Sequence, residues 1–236
     1  MAPARAGATA AAVAAILAIA ACAPIAPPPY STPAPLEPSS GPVTGDGFDG
    51  AELIALRVWT TTCDAYLNGS AWMLDQTHAV TNRHVVEGGT AIELTDYQGR
   101  SYRGIAAEQS DTDDLALITI DGTFPRAATI AAEPPAGGDV VSVSGFALGG
   151  PLATVEGRYL GPVADAINPG GPPIYSIRVE VREGNSGSPV TDEDGDVVGV
   201  VYSSDGASIG GAVALDRLEA FLAGETERSD AMTSCE

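Results

Sequence analysis

Short alternating segments run from Phe48 almost to the end of the chain, and they constrain the fold more than any other feature. Tyr175 to Val181 alternate strictly between apolar and polar side chains, which is the period of a half-buried β-strand. Further strand candidates are Ile54 to Trp59, Ala91 to Leu94, Leu115 to Ile120, Val140 to Val143 and Val197 to Val201. Glycine, asparagine, aspartate and proline separate these segments, and Asp194-Gly195 predicts a hairpin turn. Many short strands with such turn signals predict an all-β sandwich or barrel.

One helix is predicted near the C-terminus. Asp216 can serve as its N-cap, and Glu219 three residues later completes a capping-box-like pair. The apolar residues at i, i+3 and i+4 are Leu218, Phe221 and Leu222. Gly224 can end the helix. We therefore expect a single C-terminal helix packed on an all-β body.

The N-terminus has the composition of a secretory signal peptide. Arg5 is its only charge, and an apolar run of 12 residues follows from Ala10 to Ala21. The run is too short to span a bilayer as a helix, which takes about 20 residues. A buried core helix is the alternative, but a proline-rich tract follows the run immediately. We assign residues 1–21 to the signal peptide.

Cys22 ends that apolar run and is a candidate lipidation site. The segment Ile19-Ala20-Ala21-Cys22 resembles the bacterial lipobox, in which small residues precede a cysteine that becomes lipid-modified and N-terminal. Ordinary signal cleavage nearby, with Cys22 incidental, is the alternative. Eight prolines then lie between Ala23 and Thr44. They predict an extended, semi-rigid tether over residues 22–47, followed by a globular domain at 48–224 and a tail at 225–236.

Charge excludes several classes of partner. The chain has 31 acidic and 11 basic residues, and its net charge of -20 repels nucleic acid and anionic lipid headgroups. The most acidic run contains Asp192, Glu193, Asp194 and Asp196. It lacks the alternating ligand pattern of a calcium loop, and a charged hairpin turn explains it. We expect no metal site and no cofactor.

Ser186 is the candidate nucleophile. It lies in Gly184-Asn185-Ser186-Gly187-Ser188-Pro189, where the glycines permit a tight loop. Such a loop turns the amides of Gly184 and Ser186 toward one point, where a carbonyl oxygen would gain negative charge. An ordinary turn between two strands is the alternative for this motif taken alone.

A serine nucleophile needs a base and a carboxylate that orients the base. The chain has two histidines; His78 precedes an apolar stretch and suits a strand edge, so His84 is the candidate base. Asp114 directly precedes an apolar strand, which suits a desolvated carboxylate facing an imidazole. We interpret the neighbouring Asp111 and Asp113 as a solvated acidic turn.

The three motifs together resemble those of the chymotrypsin-like serine proteases. The histidine motif reads Thr-Asn-Arg-His-Val-Val, the aspartate motif Asp-Leu-Ala-Leu and the serine motif Gly-Asn-Ser-Gly-Ser-Pro. Their order, His84, Asp114, Ser186, is that of the family, with gaps of 30 and 72 residues. The resemblance covers roughly Phe48 to Gly224. It implies two six-stranded antiparallel β-barrels with the active site between them, and a serine endopeptidase that acts on proteins or peptides.

The motif style resembles two bacterial branches, the heat-shock periplasmic proteases and the membrane-anchored acid-resistance protease of actinobacteria. The second branch has a disulfide between the start and the end of its domain, and Cys63 and Cys235 occupy similar places. The resemblance implies the same disulfide here, which would pin the otherwise free tail to the first barrel. We expect an exported monomer whose membrane contact is only a lipid on Cys22, either on the outer face of the cell membrane or in an extracellular or periplasmic location.

Two departures from the family pattern bear on function. Asn185 stands where many animal members have aspartate, so a freshly cut N-terminus cannot form the buried ion pair that activates those members. Ser188 replaces a common glycine. The strand from Val200 to Ser204 is expected to line the substrate cleft. A non-catalytic, protease-like binding lipoprotein is the competing interpretation, and loss of one of the three catalytic candidates would have favoured it.

Overall fold

The structure is a computed structural model that describes residues 47–48 and 50–235. The predicted signal peptide, Cys22 and the predicted tether up to residue 46 lie outside the described residues. Within the described part of the chain, every helix is too short or too polar to cross a membrane.

The first barrel is formed by the strands nearest the N-terminus. They are β1 (Ala55–Thr61), β2 (Tyr66–Met73), β3 (His78–Thr81), β4 (Ala91–Asp96), β5 (Ser101–Ser110) and β6 (Ala116–Ile120). Neighbouring strands are antiparallel in the order β5-β4-β1-β2-β3-β6, and pairing of β5 with β6 closes the barrel. A one-turn helix, α1 (Arg83–Val86), follows β3.

The second barrel follows along the chain. Its strands are β7 (Val140–Gly145), β8 (Ala153–Val163), β9 (Ile174–Arg178), β10 (Pro189–Thr191), β11 (Val197–Ser204) and β12 (Gly210–Ala214). They close in the order β10-β11-β12-β9-β8-β7. The hairpin predicted at Asp194-Gly195 joins β10 to β11, and Gly195 has the positive φ of such a turn. Two closed six-stranded antiparallel barrels confirm the predicted fold class.

The C-terminal helix, α2 (Leu215–Leu222), starts earlier than the sequence predicts. Ala214, not Asp216, is the N-cap residue, because β12 runs directly into the helix and leaves no connecting turn. Asp216 lies in the first turn, where its charge still favours the helix dipole. Gly224, with φ of 74°, follows the helix end as predicted.

The strand predicted from Tyr175 to Val181 also ends early. Strand β9 stops at Arg178, although Val179 and Val181 remain buried. Beyond Arg178 the backbone leaves the sheet and continues into the loop that carries Ser186. The alternation in the sequence therefore reports burial correctly except at Ser176, which is also buried, and it does not report hydrogen bonding to a neighbouring strand.

Two apolar clusters fill the barrels. The larger one surrounds Trp72 and Leu56 in the first barrel and takes in Leu218 and Phe221 from α2. The smaller one lies in the second barrel and includes Ile177. Full burial of a large apolar side chain contributes about 2–3 kcal/mol. The predicted helix therefore stabilises the body through its apolar face.

The tail after α2 is anchored by more than its disulfide. Cys63 and Cys235 form a disulfide with a Cα–Cα distance of 5.6 Å across 172 residues of sequence. A cross-link over so long a loop stabilises the fold by roughly 4–5 kcal/mol in chain-entropy models. The expectation of an otherwise free tail is wrong: β13 (Arg228–Asp230) pairs with β5, and Met232 forms a bridge to Gly89.

Candidate active site

The carboxylate of Asp114 contacts His84 at two points. His84 lies in α1, and its backbone N–H donates to Asp114 Oδ1 at 3.0 Å. Its ring Nδ1 lies 2.6 Å from Asp114 Oδ2. The Asn82 side chain adds a third tie, donating to the Asp114 carbonyl at 2.7 Å. With Nδ1 bound to the carboxylate, Nε2 is the ring nitrogen left to act as a base.

Asp113 does not lie in a solvated turn, and that expectation is wrong. Its carboxyl group is buried and forms an ion pair with Arg217 of α2. It also accepts a hydrogen bond from Thr112 Oγ1 at 3.0 Å. Arg217 is itself largely buried, and this burial lowers the pKa of its guanidinium. Asp111, by contrast, is exposed as expected and accepts a hydrogen bond from Ser229.

The Asp113→Asn substitution is expected to lower the free energy of unfolding by about 3 kcal/mol, because it leaves the buried Arg217 charge without its partner. Chemical denaturation measures this loss. Asp111→Asn is the matched control at an exposed position and should change stability by less than about 0.5 kcal/mol. Adding Arg217→Met to Asp113→Asn should recover stability. An Asp113→Asn protein as stable as the wild type would contradict the assigned ion pair.

Ser186 lies in the loop between β9 and β10, on the second barrel. Gly184 and Gly187 have φ values of 90° and 86°, which an L side chain rarely adopts. A Cβ at Gly187 would lie 2.0 Å from the Ser70 carbonyl, so the loop approaches β2 too closely for any other residue. The tight turning predicted for the glycines is present, and the close approach of Gly187 to β2 is a second reason for glycine at that position.

Two amides of this loop have no hydrogen-bond acceptor in the part of the chain that the structure describes. Within the described residues, neither the Gly184 N–H nor the Ser186 N–H donates a hydrogen bond. The amides between and after them, on Asn185 and Gly187, donate to the carbonyls of Arg182 and Val201. The two free donors are those that the sequence predicts for an oxyanion hole.

Gly69 in β2 lies close to both the helix that carries His84 and the loop that carries Ser186. A Cβ at Gly69 would lie 2.7 Å from Val85 Cγ2, next to His84 in α1, and 3.0 Å from the Ser186 carbonyl oxygen. Across the described residues, the Ser186 hydroxyl makes no hydrogen bond to His84. Contacts between a nucleophile and its base are often long without substrate and tighten in the reacting complex.

A cavity of about 590 Å³ adjoins His84 and Asp114. Its lining includes Tyr202 from β11, so the segment predicted to line the substrate cleft does border this cavity. Burial, followed by the neighbouring Asp165, raises the pKa of the Tyr202 phenol, which keeps it neutral. Arg217 lies at the edge of the cavity with its charge engaged by Asp113.

His78 begins β3, at a strand edge as predicted, and has its own aspartate partner. Its Nδ1 lies 2.7 Å from Asp75 Oδ2, within the turn between β2 and β3. Partial burial opposes ionisation of Asp75, but hydrogen bonds from Thr77 and His78 outweigh it and lower the pKa of Asp75 to about 2. This pair is three residues apart in sequence and closes a local turn.

Sequence reasoning missed Ser70. Its side chain is fully buried in β2 and contacts the Ser186 loop, 114 residues further along the chain. A single serine in a strand carries no local signal of such a contact. Within the described residues there is also no cluster of three or more histidine, cysteine, aspartate or glutamate side chains arranged to hold a metal ion.

Two six-stranded barrels that meet beside His84 and the Ser186 loop form the architecture of the trypsin-like peptidases. The sequence agrees with this class: residues 69–200, more than half of the chain, match the family described as trypsin-like peptidase domain. The chain belongs to this family of serine proteases, as its motifs predicted.

Two curated relatives illustrate the relationship. The serine protease Rv3671c of Mycobacterium tuberculosis is 27% identical over 164 residues, which cover 64% of this chain and 40% of the relative. The probable periplasmic serine endoprotease DegP-like of Buchnera aphidicola is 28% identical over 147 residues, covering 58% of this chain and 30% of the relative. The chain thus spans well under half the length of these relatives.

Solved structures support the fold. The crystal structure of the Rv3671c protease from M. tuberculosis in its active form superposes with a TM-score of 0.67 and 24% identity. The match covers 73% of this chain and 81% of that structure. Both of the bacterial branches that the motifs resemble, an actinobacterial protease and the periplasmic DegP-like proteases, are therefore among its relatives.

Proposed function

We propose that the protein is a serine endopeptidase that uses Ser186 as nucleophile, His84 as general base and Asp114 as the carboxylate that orients His84. The amides of Gly184 and Ser186 form its oxyanion hole. The observation that carries this proposal is the two-point contact of Asp114 with His84, which holds the ring by its Nδ1 and the backbone by its N–H. These two contacts fix both the tautomer and the orientation of the His84 ring.

The proposed reaction proceeds through an acyl-enzyme. Ser186 Oγ attacks the carbonyl carbon of the scissile peptide bond while His84 Nε2 takes its proton. The oxygen that becomes negative is met by the N–H groups of Gly184 and Ser186, which have no other acceptor among the described residues. His84 returns the proton to the leaving amine, and a water activated by His84 then hydrolyses the acyl-enzyme.

Labelling with a fluorophosphonate probe tests this proposal directly. The probe forms a covalent bond to an activated serine, so the folded wild-type protein is expected to be labelled at Ser186. Ser186→Ala is the control and should not react. A folded protein that does not react at all would favour the competing interpretation, a protease-like domain kept as a binding module.

The proposed substrates are proteins or peptides reached outside the cytoplasm. Export is supported by the signal-peptide pattern of residues 1–21 and by the relative that is named periplasmic. The disulfide between Cys63 and Cys235 also suits an oxidising compartment. We propose that the protein acts as a monomer.

We further propose that a lipid on Cys22 anchors the exported protein to the membrane. Mass spectrometry of the N-terminal peptide from the native host should show a mature chain that begins at a lipid-modified Cys22. Cys22→Ser should release the protein into the soluble fraction while leaving the Cys63–Cys235 disulfide intact. An unmodified Cys22, or a mature chain that begins elsewhere, refutes the anchor without affecting the peptidase proposal.

A further inference from the structure

The carbonyls around Ser186 are bound to neighbouring groups. Four consecutive carbonyls, from Glu183 to Ser186, each accept one hydrogen bond. Their donors are Leu148 N at 2.6 Å, Ser70 Oγ at 2.7 Å, Ser188 N at 2.9 Å and Ser70 N at 2.7 Å. A buried backbone group needs a partner. Of the amides from Gly184 to Gly187, those of Asn185 and Gly187 bind loop and strand carbonyls, which leaves those of Gly184 and Ser186 for an external acceptor.

These contacts determine where the two free amides point. In a planar trans peptide the N–H points opposite to the preceding C=O. Binding of the Glu183 carbonyl by Leu148 therefore orients the Gly184 N–H. The Gly184–Asn185 peptide lies between the two oxyanion donors, and rotation about the bonds on either side of it would change the direction of the Gly184 N–H relative to the Ser186 N–H. Glycine does not resist such rotation, so another group must hold this peptide in place.

Ser70 supplies that group. Its hydroxyl donates to the Gly184 carbonyl at 2.7 Å and accepts from the Phe146 N–H at 2.9 Å. Ser70 is fully buried on β2 of the first barrel, whereas Gly184 and Phe146 belong to the second. The same serine thus holds the loop by both its side chain and its backbone N–H, and it ties the loop to the end of β7 across the junction of the barrels.

The backbone just after Phe146, at the junction of the two barrels, adopts an unfavourable conformation. Leu148, whose N–H binds the Glu183 carbonyl, has φ of 55° and is the one non-glycine residue with positive φ in the described part of the chain. Such a conformation costs on the order of 1–3 kcal/mol and persists where its surroundings enforce it. Here the contacts that enforce this conformation of Leu148 include those made by Ser70 and by the loop that carries Ser186.

We propose that Ser70 is a positioning residue for the oxyanion hole: its hydroxyl holds the Gly184–Asn185 peptide so that the amides of Gly184 and Ser186 converge on one point. This inference rests on the proposed function. The Ser70→Ala substitution removes the only side-chain tie to the Gly184 carbonyl found among the described residues. It leaves His84, Asp114 and Ser186 themselves unchanged.

Steady-state kinetics of Ser70→Ala on a peptide substrate tests the inference. Loss of one oxyanion donor costs on the order of 100-fold in kcat, so a fall of that size in kcat with KM nearly unchanged is expected. Affinity for a peptide aldehyde, which forms a tetrahedral adduct, should fall in parallel. The pH dependence of kcat/KM should keep its shape because His84 and Asp114 are intact.

Ser144→Ala is the matched control. It removes an equally buried serine hydroxyl of β7, whose hydrogen-bond partner is Thr154 Oγ1 at 2.8 Å, away from the oxyanion loop. It should lower the melting temperature by less than Ser70→Ala does, because it removes one hydrogen bond and not two, and it should keep wild-type kcat. If Ser70→Ala does not fold, Ser70→Cys keeps the shape but provides a much weaker donor, and the same loss of kcat is expected.

Three kinetic results would overturn the inference: a Ser70 variant with wild-type kcat, a loss confined to KM, or an equal loss of kcat in Ser144→Ala. A wild-type protein that neither hydrolyses peptides nor reacts with the fluorophosphonate contradicts the proposed function instead. A crystal structure of Ser70→Ala gives a readout independent of activity. A rotated Gly184–Asn185 peptide is expected, and an unchanged one contradicts the positioning role.

Discussion

The Ser186→Ala variant is expected to lose peptidase activity by a factor on the order of 10⁶ while keeping its fold. Without the hydroxyl no acyl-enzyme forms, and only binding and the oxyanion hole remain to accelerate hydrolysis. The fold should tolerate the change, because the Ser186 side chain makes no hydrogen bond among the described residues and is only partly buried. Its backbone carbonyl still accepts from the Ser70 N–H. Turnover of a peptide substrate and thermal unfolding measure the two effects.

His84→Ala should be as damaging, and the double variant Ser186→Ala/His84→Ala should lose little more than either single variant. The reason is that the nucleophile and the base act together in one step. Once either residue is lost, that step no longer occurs, and loss of the other residue has little further effect. Losses that multiply in the double variant would mean that the two residues act independently. Substantial activity remaining in folded Ser186→Ala would assign the nucleophile to another residue.

The barrels were predictable from local patterns. Apolar patterning and turn residues located six of the twelve barrel strands to within a few residues. Differences remain at the ends of elements. Strand β9 stops at Arg178 although burial continues to alternate beyond it, and α2 begins at Leu215 because β12 leaves no room for Asp216 as N-cap.

The contacts that support the candidate site were not predictable in this way. Asp113 was interpreted as solvated because its neighbours in sequence are polar, but its partner Arg217 comes from the helix at the other end of the domain. Ser70 likewise acts on Gly184 across the junction of two barrels. Motif residues such as His84 are recognisable from nearby sequence, whereas their supporting residues are defined only by packing of distant segments.

Asp114→Asn is expected to lower kcat/KM by about 10⁴-fold at neutral pH. The reason lies in the two contacts of the carboxylate. Because the His84 backbone N–H donates to Oδ1, an asparagine at this position must keep its carbonyl oxygen there and place its NH₂ against His84 Nδ1. An NH₂ group donates, so Nδ1 must accept and the ring proton moves to Nε2. Nε2 of His84 then carries a proton and has no lone pair with which to take the proton of Ser186.

Asp113→Asn is the discriminating comparison, because one of the two aspartate substitutions is predicted to affect turnover and the other is predicted to affect stability. Asp114→Asn should lose turnover with little change in the free energy of unfolding. Asp113→Asn should lose about 3 kcal/mol of stability yet keep kcat at a temperature where it is folded, since its carboxylate contacts Arg217 and not His84. Measuring kcat and denaturation midpoints for both variants separates the roles. The reverse pattern would assign the orienting carboxylate to Asp113. It would also contradict the role proposed for the two contacts between Asp114 and His84.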